Sequence, residues 1–143
     1  MEYFKWRFAA AAGLLALAWA GNARAEVVVH VHLARQTMEV EVDGLNTANW
    51  PVSTARRGYR TPYGRYRPYQ LQRMHYSKLY DWSPMPYSIF FRRGYAIHGT
   101  YEVRRLGRPV SHGCIRLSPD NARTLYEWVG SHGLADTIIE IGD

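Results

Sequence analysis

The chain has 143 residues, of which 47% are hydrophobic and 21% are charged, so collagen-like and wholly disordered classes are excluded. It contains one cysteine, which excludes an intramolecular disulfide and any zinc site built from cysteines alone. The formal net charge is +6 and favours anionic partners. Eleven tyrosines and five tryptophans are typical of a β-rich fold with aromatic surfaces.

The first 25 residues have the pattern of a secretory signal peptide. Basic residues precede an apolar run over residues 8–20, and residues 23–25 match an A-x-A cleavage site. An uncleaved anchor or a buried helix is the alternative, but the run is shorter than the ~18 residues of a membrane span. We predict cleavage before Glu26 and export to the periplasm, with no stable transmembrane segment after processing.

Export changes the interpretation of the positive charge. Removal of the first 25 residues takes away three basic residues and one acidic residue, which leaves a net charge of +4. Nucleic acid is a poor partner for an exported protein. The charge therefore indicates anionic cell-envelope polymers or substrates that carry carboxylates.

The remaining chain is predicted to form strands followed by one late helix. The β-branched run 27–33 and the alternating run 38–42 predict an antiparallel hairpin, with Asp43-Gly44 closing its second strand. His30 and His32 then share one strand face. We expect partly exposed histidines there, and a metal pair is the alternative.

Residues 56–80 are rich in arginine and tyrosine, with turn residues at 61–64. One interpretation is a twisted ribbon with solvated arginines, which we prefer. The other is a groove wall that attracts an anionic peptide or glycan. Residues 81–87 contain two prolines and predict a loop that is a candidate lid.

The helix prediction rests on capping and periodicity. Ser118 is a suitable N-cap and Pro119 occupies the first helical position. Apolar residues recur at helical spacing over residues 122–129, and Gly130 or Gly133 can end the helix. The segment that follows, TIIEI, predicts a final strand.

Reactive residue types are concentrated in residues 97–116. His112 lies two residues before Cys114, so both side chains share a face if this segment is extended. A neighbouring imidazole can lower a thiol pKa and so produce the nucleophilic thiolate. His98 is the second candidate base, and the spacing does not decide between the two histidines.

Three kinds of site are compatible with this spacing. A hairpin through residues 107–109 would bring His98 beside Cys114, giving a cysteine nucleophile with a histidine base. The amides near Gly113 and Cys114 would then donate to a developing oxyanion. The alternatives are a metal site of His98, His112 and Cys114, and a buried unreactive cysteine.

These residues resemble the signature of the L,D-transpeptidase (YkuD-type) catalytic domain, roughly H-x-[ST] followed by [ST]-H-G-C-[IV]-R. His98-Gly99-Thr100 matches the first part, and the SHGCIRL sequence at residues 111–117 matches the second. Weaker matches are the opening hairpin and residues 50–54, 61–66 and 118–122. The resemblance implies a mostly β, sandwich-like and mostly antiparallel fold with one helix in the C-terminal half. The catalytic domain would cover residues 26–143.

The resemblance implies a catalytic role for three residues. Cys114 would be the nucleophile, and His98 would accept and donate the proton. The backbone carbonyl of Gly99 would orient the imidazole, in place of the acid of a serine-type triad. No cofactor or metal is implied.

Supporting and substrate-binding roles follow for four further residues. His112 would shape the site and contact substrate, and Gly113 would let substrate approach the backbone. Ser111 would be a supporting hydrogen-bonding residue. Arg116 would either stabilise the cysteine loop or pair with a substrate carboxylate, and both roles stay open.

In such a family the donor is a peptidoglycan stem tetrapeptide, cut before its terminal D-Ala, so the expected role is in cell-wall biogenesis and cell shape. The acyl group would pass to an amine of another stem, an envelope lipoprotein or a free D-amino acid. Transfer to water would make the protein an L,D-carboxypeptidase, and a non-catalytic wall-binding module is a further alternative. Carbapenem acylation of the cysteine is also implied. Residues 68–95 match nothing diagnostic, so the acceptor stays open.

Overall fold

The computed structural model describes residues 26–143, and the predicted signal peptide with its cleavage site lies outside the described residues. The described part is mostly β, with nine strands, one α-helix and two short 3₁₀ turns. None of its helices is both long and apolar enough to cross a membrane. The elements are β1 (Val27–His32), β2 (Thr37–Val42), β3 (Leu45–Pro51), β4 (Gly64–Tyr66), β5 (Gln70–Ser77), β6 (Ser83–Arg92), β7 (Tyr95–Gly99), β8 (Ile115–Leu117), α1 (Pro119–His132) and β9 (Thr137–Gly142).

The strands form two sheets, one of five strands in the order β3-β2-β1-β9-β4 and one of four in the order β5-β6-β7-β8. Helix α1 packs against β6 and β7. The main core contains side chains from both sheets and from α1, so it lies where these three layers meet. Its members include Val29, Val40, Ile97, Leu125 and Ile139. Full burial of each such aliphatic side chain stabilises the fold by about 1.5–3 kcal/mol. The predicted sandwich-like β fold is confirmed.

The N-terminal hairpin forms as predicted. β1 pairs antiparallel with β2, and Val29 lies opposite Val40. Buried and half-buried residues alternate along β1, which places His30 and His32 together on the outer face. Asp43 and Gly44 both have positive φ, 53° and 79°, as a tight turn between strands requires.

The helix also forms as predicted. The Ser118 side chain accepts a hydrogen bond from the Asn121 amide, Pro119 is the first helical residue, and Gly133 is the C-cap. The start of the helix packs closely on the end of β7. A Cβ added to Gly99 would lie 3.2 Å from the Pro119 Cα atom. A small residue at position 99 therefore allows the helix to approach the strand.

The predicted hairpin through residues 107–109 is wrong, because β7 and β8 are parallel neighbours. The chain leaves β7 and passes through the 3₁₀ turn Val103–Arg105. It then runs along the segment that follows β3: the Gly107 amide donates to the Val52 carbonyl, and the Ser111 amide donates to the Thr54 carbonyl. These remote backbone partners direct the chain into β8 from the same end as β7.

The predicted loop at residues 81–87 is also largely wrong, because β6 begins at Ser83 and the connecting turn covers only residues 78–82. Pro84 and Pro86 lie within the strand and pair with β5. β7 pairs with β6 only from Ile89 onwards, so the proline-containing half of β6 has a strand on one side only. Proline is tolerated there because it lacks only the amide that a second neighbour would need.

Candidate active site

The candidate residues lie on the face of the β7–β8 pair that is turned away from the main core. Ile97 and Ile115 are partners in the parallel pair, and both belong to the core. The next pair is His98 with Arg116. Since side chains alternate and paired residues share a side, His98, Arg116 and Cys114 lie on the opposite face. Cys114 packs there against a small cluster of Met85, Phe90 and Ala96.

His98 is buried, with 6% of its surface exposed, and its ring orientation is set by its own neighbour. Nδ1 lies 2.7 Å from the Gly99 carbonyl oxygen. Because a carbonyl only accepts, Nδ1 carries the proton and Nε2 of the neutral ring is a free base. Burial is the main cause that lowers the pKa of His98 to about 4, with the Arg116 charge adding to it and the Gly99 hydrogen bond opposing it. The ring is therefore neutral at pH 7.

Cys114 is a protonated thiol at neutral pH. Its sulfur donates to the Gly94 carbonyl oxygen at 3.8 Å. Burial raises the pKa of the Cys114 thiol, and a backbone hydrogen bond from Ala96 and the Arg116 charge only partly oppose it. The thiolate that the sequence predicts is thus not the resting state. Desolvation disfavours charge on both sulfur and imidazole, so the neutral pair is the stable form.

Ser111 holds the cysteine loop from within. Its side chain is almost fully buried, at 1% exposure. The hydroxyl donates to the Cys114 carbonyl at 2.6 Å and accepts from the Gly113 amide at 3.0 Å. The Gly113 amide is therefore occupied, contrary to the expectation that it donates to an oxyanion. In this arrangement the Cys114 amide is the candidate donor of the two.

Gly113 occupies a position that no other residue suits. Its φ of 137° lies in the region that favours glycine. A Cβ at this position would lie 2.6 Å from Cε1 of Tyr95 and 3.0 Å from the Arg60 carbonyl oxygen. The Tyr95 ring and the Arg60 backbone thus occupy the space that a side chain at position 113, next to Cys114, would need.

Thr61 supports the same loop, and the sequence interpretation missed it by treating residues 61–64 only as a turn. It is buried, with 3% exposure. Its hydroxyl donates to the Gly113 carbonyl at 2.9 Å and accepts from the Ala55 amide at 3.0 Å. The signal was present in the Thr-Pro-Tyr-Gly sequence, but its partner is 52 residues away.

Arg116 is tied to the chain at three points. Its amide and carbonyl both bond to the backbone of Ser53, at 2.8 and 3.1 Å. Its guanidinium lies 3.3 Å from a carboxylate oxygen of Glu102. The Arg116 side chain is only 20% exposed, whereas its partner Glu102 is 55% exposed. Of the two roles left open, these contacts favour stabilisation of the cysteine loop.

His112 lies between two tyrosine rings and not in the strand face that holds His98. It stacks on Tyr80, with centroids 4.0 Å apart and planes at 6°, and meets the edge of Tyr59 at 4.7 Å. Burial lowers the pKa of His112, and the charges of Arg56 and Arg116 lower it further. Neither tyrosine was identified from the sequence, because both are distant from His112 along the chain. Between the two histidines, His98 has the geometry of a base.

The metal alternatives receive no support from the geometry. Within residues 26–143, no group of three or more His, Cys, Asp or Glu side chains is arranged to hold a metal ion. His30 instead faces carboxylates, with Glu140 at 3.1 Å and Glu41 at 3.7 Å. His32 lies 3.6 Å from Glu39.

Comparison with known proteins identifies the class to which this fold and site belong. The family model of the L,D-transpeptidase catalytic domain, YkuD, matches residues 26–141. The chain therefore belongs to the L,D-transpeptidase catalytic domain family.

Individual relatives agree with this assignment. The chain is similar to an L,D-transpeptidase from Mycobacterium smegmatis, with a TM-score of 0.75 and 26% identity over 83% of this chain and 59% of that one. A second similar structure, from Stackebrandtia nassauensis, gives a TM-score of 0.72 and 28% identity over 82% of this chain and 56% of that one. A 43-residue stretch is 44% identical to the Escherichia coli K12 protein described as "Probable L,D-transpeptidase YbiS", covering 30% of this chain and 14% of that protein. The chain thus spans less than two thirds of the length of these relatives.

Proposed function

We propose that this protein is a peptidoglycan L,D-transpeptidase in which Cys114 is the nucleophile and His98 is the general base and acid. One observation carries the proposal. A buried imidazole donates through Nδ1 to the Gly99 carbonyl, and it shares a strand face with Cys114, the only cysteine of the chain. Membership of the family and similarity to proteins named L,D-transpeptidases support the choice of reaction.

Acylation begins from the neutral thiol and the neutral imidazole. Sγ of Cys114 attacks the carbonyl carbon of the third stem residue while Nε2 of His98 takes the thiol proton. The Cys114 amide donates to the oxyanion that forms. When the tetrahedral intermediate collapses, the C–N bond to the terminal D-Ala breaks and His98 returns its proton to that nitrogen. D-Ala leaves, and the stem remains as a thioester on Cys114.

Deacylation repeats the same proton path in reverse. An acceptor amine attacks the thioester carbonyl and loses a proton to Nε2 of His98. The C–S bond breaks, and the departing sulfur recovers that proton from the imidazolium. One amide bond is broken and another is formed, so the reaction needs neither an oxidant nor a cofactor. The acceptor is an amine of a second stem, an envelope lipoprotein or a free D-amino acid.

The surrounding residues have positioning roles in this proposal. Ser111 and Thr61 hold the carbonyls of Cys114 and Gly113, which orients the loop that presents the sulfur. Arg116 places a positive charge near both reacting groups, and this charge stabilises the thiolate as the proton leaves. His112 and its two tyrosines form a wall that contacts substrate. Export by residues 1–25 would place the site in the periplasm, where its substrate lies.

The direct test is incubation of the purified protein with muropeptide tetrapeptides, with the products identified by mass. We expect loss of D-Ala and formation of cross-linked or amine-exchanged products. A carbapenem should add its mass to the protein. Cys114→Ala and the nearly isosteric Cys114→Ser should abolish both results while keeping the wild-type thermal transition.

The alternatives give different products. Conversion of tetrapeptides to tripeptides without new cross-links would identify an L,D-carboxypeptidase that uses the same cysteine. A folded Cys114→Ala variant with wild-type turnover would overturn the catalytic proposal. Binding to sacculi that is indifferent to Cys114 and His98, with no turnover by the wild type, would leave only the wall-binding module.

A further inference from the structure

A cleft of about 420 Å³ opens beside the cysteine loop, and three of its six lining residues are arginines. Two chain segments line it: Arg60, Pro62 and Tyr63 from the segment before β4, and Arg92, Arg93 and Tyr95 from the β6–β7 turn and the strand ends beside it. We refer to it as the arginine cleft. Its lining contains three guanidinium groups, two phenols and no carboxylate.

The arginine cleft adjoins the reacting sulfur through both of its walls. Gly94, which links Arg93 to Tyr95, accepts the contact from the Cys114 sulfur at 3.8 Å. The Tyr95 ring and the Arg60 carbonyl are the two groups that press on Gly113. Both walls therefore meet at the residues that present the nucleophile.

The positive charges of the cleft are not neutralised by the protein. Arg60, Arg92 and Arg93 form no ion pair with any residue in the described range 26–143, whereas Arg65 and Arg116 are each paired with a glutamate. Arg92 instead contacts the Tyr66 hydroxyl at 3.3 Å.

One acid contacts a residue of the cleft lining: Asp143 accepts a hydrogen bond from the Tyr63 hydroxyl at 2.9 Å. Like charges held together in a cleft repel each other, and an anionic ligand removes that cost.

We propose that the arginine cleft binds a carboxylate of the stem peptide next to the scissile bond. This inference rests on the proposed transpeptidase function. Guanidinium groups bind carboxylates through paired, charge-assisted hydrogen bonds. Two carboxylates of the substrate lie near the scissile bond: that of the terminal D-Ala and the side-chain carboxylate of a diaminopimelate third residue.

The test measures binding of a synthetic stem tetrapeptide to the Cys114→Ala protein by calorimetry at low salt. The added double substitution Arg60→Gln/Arg93→Gln should weaken binding about ten-fold, as the loss of charged hydrogen bonds predicts. Arg60→Lys/Arg93→Lys should recover part of the lost affinity, because lysine keeps the positive charge but cannot donate the paired hydrogen bonds of a guanidinium group. The control, Arg35→Gln/Arg123→Gln, removes equal charge from exposed sites elsewhere and should change binding less than two-fold.

Two amidated peptides identify which carboxylate is bound. Amidation of the bound group should weaken binding to the parent protein and remove the sensitivity to the arginine substitutions, whereas amidation of the other group should do neither. Equal binding by the Gln variant and its control would overturn the proposal, and so would arginine sensitivity that survives both amidations. In the Cys114-containing protein, the Gln variant should lower kcat/KM about ten-fold.

The binding assay and the turnover assay test the two proposals separately. Arginine-dependent binding without turnover by the wild type would contradict the transpeptidase proposal and leave the cleft in place. Turnover by the wild type with arginine-independent binding would contradict only the cleft. Thermal transitions of all variants exclude loss of fold as a cause.

Discussion

Two faces of the molecule carry histidines, and they differ in what surrounds the rings. On the outer face of β1, His30 and His32 are half-exposed and lie 3.1–3.7 Å from glutamates. On the outer face of β7, His98 is buried against the Gly99 carbonyl, and Cys114 is on the adjoining β8 side. The two β1 histidine side chains are 22–29% exposed, and such partly exposed contacts contribute about 0–1 kcal/mol. Burial keeps the His98 ring neutral, and the hydrogen bond to the Gly99 carbonyl fixes its tautomer.

The comparison shows that sequence spacing alone does not make a histidine reactive. The alternation of residues along β1 places His30 and His32 on the same strand face, as the spacing predicts. The difference comes from the groups packed around the ring: the Gly99 carbonyl that fixes the proton, the burial of the ring and the Cys114 thiol on the same side. Of the four predictions that follow, two test this difference through His98, and two test the packing and support of the cysteine loop beside it.

The largest expected effect separates the two faces by activity. His98→Gln should lower kcat/KM for D-Ala release from tetrapeptide about 10²–10⁴-fold, because the general base is lost. His30→Gln should change it less than two-fold, since that ring faces only glutamates. Comparable losses in both variants would contradict the distinction.

The second prediction concerns crowding beneath Cys114. Gly113→Ala should lower the free energy of unfolding by about 4 kcal/mol, from backbone strain and overpacking against Tyr95. Gly58→Ala is the matched control: its φ is also positive, at 90°, but no atom lies within 4 Å of the added Cβ. It should cost only about 1–2 kcal/mol. Urea unfolding measures the free energy of unfolding of both variants. Equal losses would show that backbone strain alone, without crowding by Tyr95, accounts for the need for glycine at position 113.

The third prediction uses pH. The folded-state pKa of His98 is lowered to about 4, below the ordinary 6.5. The unfolded chain therefore binds the proton more readily, and stability is fully present above pH 6.5 and is lost as pH falls towards 4. The loss from this ring is about 3 kcal/mol. Subtracting the pH profile of His98→Gln, measured by urea unfolding, removes the carboxylate contributions. An unchanged slope in the variant would contradict the assignment.

The smallest expected effect concerns support of the cysteine loop. Thr61→Val keeps the side-chain shape but leaves the Ala55 amide and the Gly113 carbonyl without their partner, which should cost about 2 kcal/mol. Thr124→Val removes a single hydroxyl contact to the Asp120 carbonyl on the outer side of α1 and should cost under about 0.5 kcal/mol. Thermal or urea unfolding distinguishes them. Indistinguishable transitions would show that Thr61 does not hold the loop.

Local patterns predicted the elements whose causes are local. The pairing of β1 with β2 follows from the alternation along these strands, and the two-residue turn after β2 follows from Asp43-Gly44. Helix α1 follows from the Ser118 cap, from Pro119 and from apolar residues at helical spacing. The motif residues at 98–100 and 111–117 also indicated the family that the family model confirms.

The two failed predictions concern segments whose partners are distant. Pro84 and Pro86 suggested a loop, but β5 supplies a strand partner on one side and no second strand competes for the missing amides. The residues 107–109 suggested a hairpin, but the backbone of residues 52–54 guides that segment into a parallel pair. Neither arrangement is visible in the local composition.

The amino-acid sequence by itself determined the alternation of the strands, the limits of the helix and the reactive residue types, because each depends on neighbours a few positions away. Only the tertiary structure decided that β7 and β8 are parallel, that Thr61 holds Gly113, and that the imidazole and the thiol are both neutral. The physical reason is that desolvation and backbone pairing are sums over groups that folding brings together from remote parts of the chain.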